Sequence, residues 1–454
     1  MTFENIVKLQ REYGLTNVTR DVSYRKAGLE RLLDSLCDNE QALYRAMAKD
    51  LGRSRQETFI SEIAIIKQEL NYAIDHVERW GAKKRVHTPL YLFPAKSYIV
   101  SEPYGVVLIV SPWNNPILHS LLPLIGAIAA GNTAIIKPSK KCVHTAEALS
   151  AFINSTFDKR YVYAIDEPLS YSEIMSQNYD YIYFTGSERV GKSIMRSASD
   201  KLTPVALQLG GKCPCIIGPE ADLAMSAKKI LWGKLLNAGQ NALAPDYVLV
   251  PKYQRADLVK CLRETMDEMI KDPFNGNTYP RIIDLHHYMR LKRFITAEKD
   301  IIGGRFDDKK MIIEPTVLTK SSFDSEIMKE EIYGPILPII SYDDIYEVID
   351  IIRRRPTPPA CYIFSQNKDF ADEMMEKIPC GGMSINDCMV QICNPRLPYG
   401  GIGGSGMGKC SGKYGFDTFS NVKAVSNNHS GMDRGLKYPP FNDEKYETLR
   451  KIIK

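Results

Sequence analysis

The feature that most constrains the fold is a change of hydrophobic rhythm near residue 104. Before it the chain reads as helices. In "ETFISEIAIIKQELNYAIDHVERWG", Ile63, Ile66, Leu70, Ile74 and Val77 recur three to four apart on one face. After it, "YGVVLIVSPWN" is a continuous apolar run closed by turn residues, as suits a parallel strand buried on both faces. The run is followed by a helix (117–130), a strand (133–137), a helix (143–154), a strand (161–164), a short helix (170–176), a strand (181–184) and a helix from 188. That alternation predicts a doubly wound α/β sheet with ligands at the carboxyl ends of its strands. A second α/β series starts near Gly210, with strands expected at 215–217, 247–250, 336–341 and 361–364 and helices at 223–236 and 344–354. Two extended pieces, 89–103 and 417–427, belong to neither series and are read as an oligomerisation arm.

At 454 residues the chain exceeds what one core organises, so two or three domains are expected. Its 59 basic and 54 acidic residues nearly cancel, and "RRRP" at 353–356 is the densest basic patch, so no nucleic-acid partner is expected. The most apolar window, "PILHSLLPLIGAIAAG", is too short to span a bilayer and is interrupted by His119 and Pro123. No secretion signal or membrane anchor is read at either end. Ten cysteines without framework or zinc spacing point to free thiols in a reducing cytoplasm, and no metal site is expected.

The motifs are individually weak. "GSERVGKS" (186–193) matches a phosphate loop, but no downstream strand ends in a magnesium-binding Asp. Gly186 and Gly191 can instead let a helix N-terminus hold a dinucleotide diphosphate, with Lys192 and Ser193 on the helix surface. "SPWNNP" (111–116) offers the Asn114 amide to an oxyanion, or is a simple Asx turn. Lys137 ends a strand in "IIKPSK". Gln208, in "LQLGGKCP", lies between the two series and can hydrogen-bond but not act as a base. Glu330 and Glu331 precede a turn in "KEEIYGP", and "LPYGGIGGSGMG" carries six glycines in twelve residues.

In this order the motifs "PWNNP", "AIAAGNTAIIKPS", "YFTGSERVGK", "LTPVALQLGGKCPC", "NAGQNALAPDYVLV", "KEEIYGPILPI" and "LPYGGIGGSGMGKCSGKYGFDTFS" closely resemble those of aldehyde dehydrogenases, class 3 branch. The resemblance implies a Rossmann-like nucleotide-binding domain (1–82 and 102–208), an α/β catalytic domain (209–400) and a β bridging or oligomerisation arm (83–101 and 417–430). It also implies NAD- or NADP-dependent aldehyde oxidation, usually in dimers. Carried over, Asn114 is the oxyanion amide. Gly186, Ser187 and Gly191 form the diphosphate turn, and Lys137, Glu331, Trp113 and Tyr333 are nucleotide contacts. Lys140 stands where a Glu often follows "KPS".

Two central positions depart from the family. Ala242 stands where the nucleophilic Cys belongs, and Gln208 where the general-base Glu belongs. Three readings follow. A natural homologue has lost or nearly lost oxidation, and serves as a nucleotide-binding or assembly protein, paired with itself or an active paralogue. Alternatively, an active enzyme carries deliberate Cys→Ala and Glu→Gln changes. Or another thiol, Cys388, has taken over. Softer departures at Asn241, Lys140, Tyr333 and Tyr399 favour the first.

Overall fold

A computed structural model describes residues 2–275, 279–428, 431 and 435–453. The strand–helix alternation builds a sheet with strand order 406–407, 205–209, 181–186, 106–110, 133–137, 162–164. The five longer strands run parallel through four neighbour pairs, and Gly406–Met407 adds an antiparallel edge against Gln208 and Leu207. The chain winds outward in both directions from Val106–Val110, so a switch point lies beside that strand, where ligand crevices form. Val106–Val110 is buried throughout because helices cover both faces. Helices Val22–Leu51, Ala64–Gly81 and Pro116–Ala130 pack one side of this core.

The second series forms a seven-stranded sheet ordered 301–302, 316–321, 336–342, 247–251, 214–217, 361–364, 383–385. The expected strands are present, with Cys361–Phe364 at its expected bounds. Thr316–Ser321 and Met383–Ile385 were not expected: neither carries an apolar run long enough to stand out from its surroundings.

The arm differs from expectation. Leu90–Leu92 is a 3-10 turn rather than extended chain, and Asp417 belongs to the helix Gly412–Thr418. The two remaining strands, Lys96–Pro103 and Ser420–Asn427, pair with each other along their full length, and Lys84–Val86 adds a third strand. They therefore form a sheet of their own within one chain, with Ser420–Asn427 at an edge. Residues 429–430 of the expected arm lie outside the described residues. Among the described residues, no helix is long and apolar enough to cross a membrane.

Candidate active site

The loop after helix Leu223–Leu235 makes an unusual turn. Asn237, Ala238 and Gly239 are left-handed in succession, with φ of 52°, 50° and 72°. At a residue such as Ala238 this costs roughly 1–2 kcal/mol, so surrounding contacts must impose it. Gly239 is required sterically: a Cβ there would lie 2.2 Å from the Gly334 carbonyl oxygen. The Asn237 amide donates to Asn114 O (2.9 Å) and Gln240 O (3.1 Å), and its backbone N–H to Glu57. The Gln240 amide donates to Asn237 O and Arg281 O and accepts from Ile283 N–H, all at 3.0 Å.

Ala242 sits at the crest of this turn, part-exposed. The Cys213 thiol donates to its carbonyl (3.2 Å). Among the described residues no acceptor takes the Ala242 N–H, and the Asn114 side-chain amide is likewise uncommitted although the residue is 2% exposed. Both groups are thus free to donate. The other candidate thiol is Cys388. It is fully buried, packed against helix 223–235 where a Cβ at Gly233 would meet its own at 3.0 Å.

Gln208 is held as an amide. Its Nε2 donates to Gly408 O (3.3 Å) and its Oε1 accepts from Gly401 N–H (3.1 Å). The glycine-rich loop closes against it, since a Cβ at Gly400 would lie 2.8 Å from Nε2. A carboxylate in this pose would set like partial charges against the Gly408 carbonyl, whereas an amide satisfies both partners.

At the carboxyl ends of the first sheet, Ser187 precedes helix Glu188–Ser199 and its hydroxyl makes no capping bond. Gly191 allows that helix to close on the sheet, because a Cβ there would lie 2.7 Å from Leu209 Cδ2. Lys192 pairs with Glu188 on the outer face, as expected of helix surface. Lys137 and Lys140 line a cavity of about 440 Å³ between helix Val143–Thr156 and the loop at 165–169. Burial, then Lys140, lowers the Lys137 pKa. The Lys140 ammonium donates to Leu169 O (2.6 Å) and makes no direct ion pair among the described residues, although Glu173 feels its charge and Glu147, Asp166 and Glu167 line the same cavity.

Glu331, Tyr333 and Trp113 meet on the other side. Trp113 and Tyr333 pack edge to face at 5.5 Å. Tyr333 is itself left-handed, with φ 52°. Glu330 is exposed and pairs with Arg290 (3.3 Å), the bland role its position suggested. Glu331 differs: its carboxyl folds under the Gly210–Gly211 turn, where a Cβ at Gly210 would fall 2.1 Å from Oε2. Oε1 has no partner. Enclosure, then the neighbouring Asp246, pushes its pKa up to about 8. The folded protein therefore keeps a proton that the unfolded chain releases near 4.5, so the associated stability is present at low pH and lost as pH rises toward 8. Unfolding free energy is expected to decline between roughly pH 5 and 8, and Glu331→Gln to flatten that decline. Parallel urea titrations of both proteins check this; superimposable pH profiles would count against it.

Sequence reasoning missed the network beneath the site. Arg53, fully buried, pairs with Glu62 (2.5 Å) and approaches Glu57 (3.8 Å). It also donates to Asn115 Oδ1 (3.2 Å) and Asn114 O (3.4 Å). Glu62 Oε2 accepts the Ile117 and Leu118 N–H groups (2.8 and 2.9 Å), capping helix Pro116–Ala130. Burial raises the pKa values of Glu57 and Glu62, against the lowering effect of Arg53. The only sequence signal was an Arg and two Glu spaced along helical chain, which ordinarily marks a solvated face. Asp284, His286 and His287 also cluster near Trp113, but Lys141 already bonds Asp284 at 2.7 Å.

The model of the aldehyde dehydrogenase family matches residues 15–425. The 4,4'-diaponeurosporen-aldehyde dehydrogenase of Staphylococcus aureus is 40% identical over 443 residues, covering 97% of this chain and 96% of that protein. Aldehyde dehydrogenase family 3 member F1 of Arabidopsis thaliana is 37% identical over 459 residues, covering 99% and 95%. A solved structure of the substrate-bound state of Staphylococcus aureus AldH superposes with a TM-score of 0.96 at 38% identity, over 100% of both chains.

Proposed function

The chain belongs to the aldehyde dehydrogenase family, and from that premise we propose that it keeps binding surfaces for an aldehyde and a nicotinamide dinucleotide while the oxidation step is lost. The observation that carries this reading is Ala242. A methyl group offers no lone pair to the carbonyl carbon, so no covalent intermediate forms, although the Asn114 amide and the Ala242 N–H still suit its oxygen. The further departures at Asn241, Lys140, Tyr333 and Tyr399 support a natural loss over a deliberate change, whereas the pinned amide of Gln208 fits either. Direct assay tests it: turnover of benzaldehyde or a medium-chain aldehyde with NAD or NADP at ordinary enzymatic rates would sink the reading.

The residues fit a dinucleotide. The uncommitted Ser187 hydroxyl and the first turn of helix Glu188–Ser199 suit a diphosphate, with Gly186 and Gly191 giving close approach. Lys137 and Lys140 suit the adenosine ribose, and Trp113, Tyr333 and Glu331 the nicotinamide side, once the Glu331 carboxyl turns out from Gly210. A bound nicotinamide would supply a hydride acceptor. Because the Lys140 ammonium is held by a neutral carbonyl and not by a direct ion pair, we read it as favouring a 2′-phosphate. Calorimetric titration should find NADP binding tighter than NAD, and Lys140→Glu should reverse the order. An unchanged order would remove Lys140 from the argument.

The same reading makes the protein a cytoplasmic dimer joined through the outer edge of Ser420–Asn427, which has no strand partner among the described residues. Sedimentation at micromolar concentration tests the dimer; a monomer there would refute it.

A further inference from the structure

A small cavity of about 40 Å³ adjoins the Ala242 loop, room for little more than one end of a ligand. His119, Tyr399, Asn115 and Asn241 line it; most of the remaining wall, Leu118 and Trp232 included, is apolar, and no Asp, Glu, Lys or Arg contributes to it.

His119 comes from the first turns of helix Pro116–Ala130 and is only 6% exposed. Among the described residues neither ring nitrogen has a hydrogen-bond partner. Tyr399 stacks on it at 6.3 Å and 19°, and its hydroxyl is likewise unpartnered. Asn115 Oδ1 is taken by Arg53 and Asn241 Oδ1 by Leu243 N–H (2.9 Å), which leaves both NH₂ groups uncommitted. These polar atoms are not sealed in the core, so a ligand hydroxyl can replace water on them, and a purely hydrophobic channel has no need of such groups. Burial lowers the His119 pKa to about 4, so at neutral pH the ring offers one donor, one acceptor and no charge.

We propose that this cavity selects an uncharged aldehyde carrying a hydroxyl group, which His119 and Tyr399 engage while the carbonyl lies toward Asn114 and Ala242. The proposal rests on the reading of the Ala242 loop as the aldehyde site. A charged substituent is disfavoured because no ionised side chain lines the cavity to compensate it.

The test is calorimetric titration of the full chain with benzaldehyde, 4-(hydroxymethyl)benzaldehyde, whose hydroxyl stays uncharged, and 4-carboxybenzaldehyde. The hydroxylated compound should bind about tenfold tighter than benzaldehyde, and the carboxylate weakest. His119→Leu should erase the hydroxyl advantage while leaving benzaldehyde affinity within about threefold. Tyr399→Phe, which removes only an oxygen, should reduce the advantage without risk to packing. Equal affinity for benzaldehyde and its hydroxylated analogue, or an advantage that survives both substitutions, would overturn the proposal and leave the aldehyde site standing. Binding of none of the three would overturn both.

Discussion

Introducing sulfur and carboxylate together, Ala242→Cys with Gln208→Glu, is expected to give steady aldehyde turnover far above that of the unsubstituted protein. The loop geometry needed to present a side chain at 242 is already in place: three left-handed residues, Gly239 against Gly334, and the clamps at Asn237 and Gln240. Ala242→Cys alone should give a burst of reduced nucleotide close to one per site, followed by slow release, because the acylated thiol then lacks a base to activate water. Gln208→Glu alone should do nothing, since no intermediate exists for the base to act on. The double variant should exceed Ala242→Cys in steady turnover by about 10²–10⁴, the usual worth of a general base. Release from Gly401 and Gly408 opposes part of this gain, and the carboxyl should titrate above its ordinary range while it faces the Gly408 carbonyl. Stopped-flow absorbance of the reduced nicotinamide separates burst from turnover. A double variant that binds both ligands and yields no burst would show that more than two side chains have been lost.

Arg53→Met carries the largest expected stability effect, about 3–5 kcal/mol, because it leaves the enclosed Glu62 without its cation. Glu62 also caps the helix that carries Asn115 and His119, and Glu57 holds the Asn237 N–H, so the damage should reach the Ala242 loop. Loss of Arg53 removes an influence that lowers the Glu62 pKa, so the carboxyl should bind a proton more readily in the folded state. The variant should accordingly regain stability on mild acidification. Adding Glu62→Gln should recover part of the loss, since a neutral side chain needs no buried counter-charge. Denaturant titrations of the three proteins measure this directly. A loss below about 1 kcal/mol for Arg53→Met would mean that water or another group already compensates the pair.

Much of the fold was legible in the sequence because it is written locally. Continuous apolar runs such as Val106–Val110 and Cys361–Phe364 have no stable setting except a strand covered on both faces. Helix Pro116–Ala130 opens on a Pro and closes on left-handed Gly131, the usual asymmetry of helix ends. The arm strands were legible as extended chain but not as each other's partners, since they lie more than 300 residues apart: Asn421 meets Glu102 across 319 positions. The candidate site divides in the same way. Gly186, Ser187, Gly191 and Asn114 stand at strand and helix ends that a pattern reveals, whereas the fate of the Glu331 carboxyl depends on a turn at Gly210.

The sequence by itself determined the α/β architecture, the family and the absence of a thiol at 242, because each depends on the identity of residues close in the chain. Only the tertiary structure decided what the departures mean. The amide of Gln208 is engaged by residues 193 and 200 positions away, Arg53 reaches Asn115 across 62, and the His119 ring finds no partner among the described residues because of what packs around it. Burial and hydrogen-bond satisfaction are properties of assembled surroundings, and no local pattern encodes them.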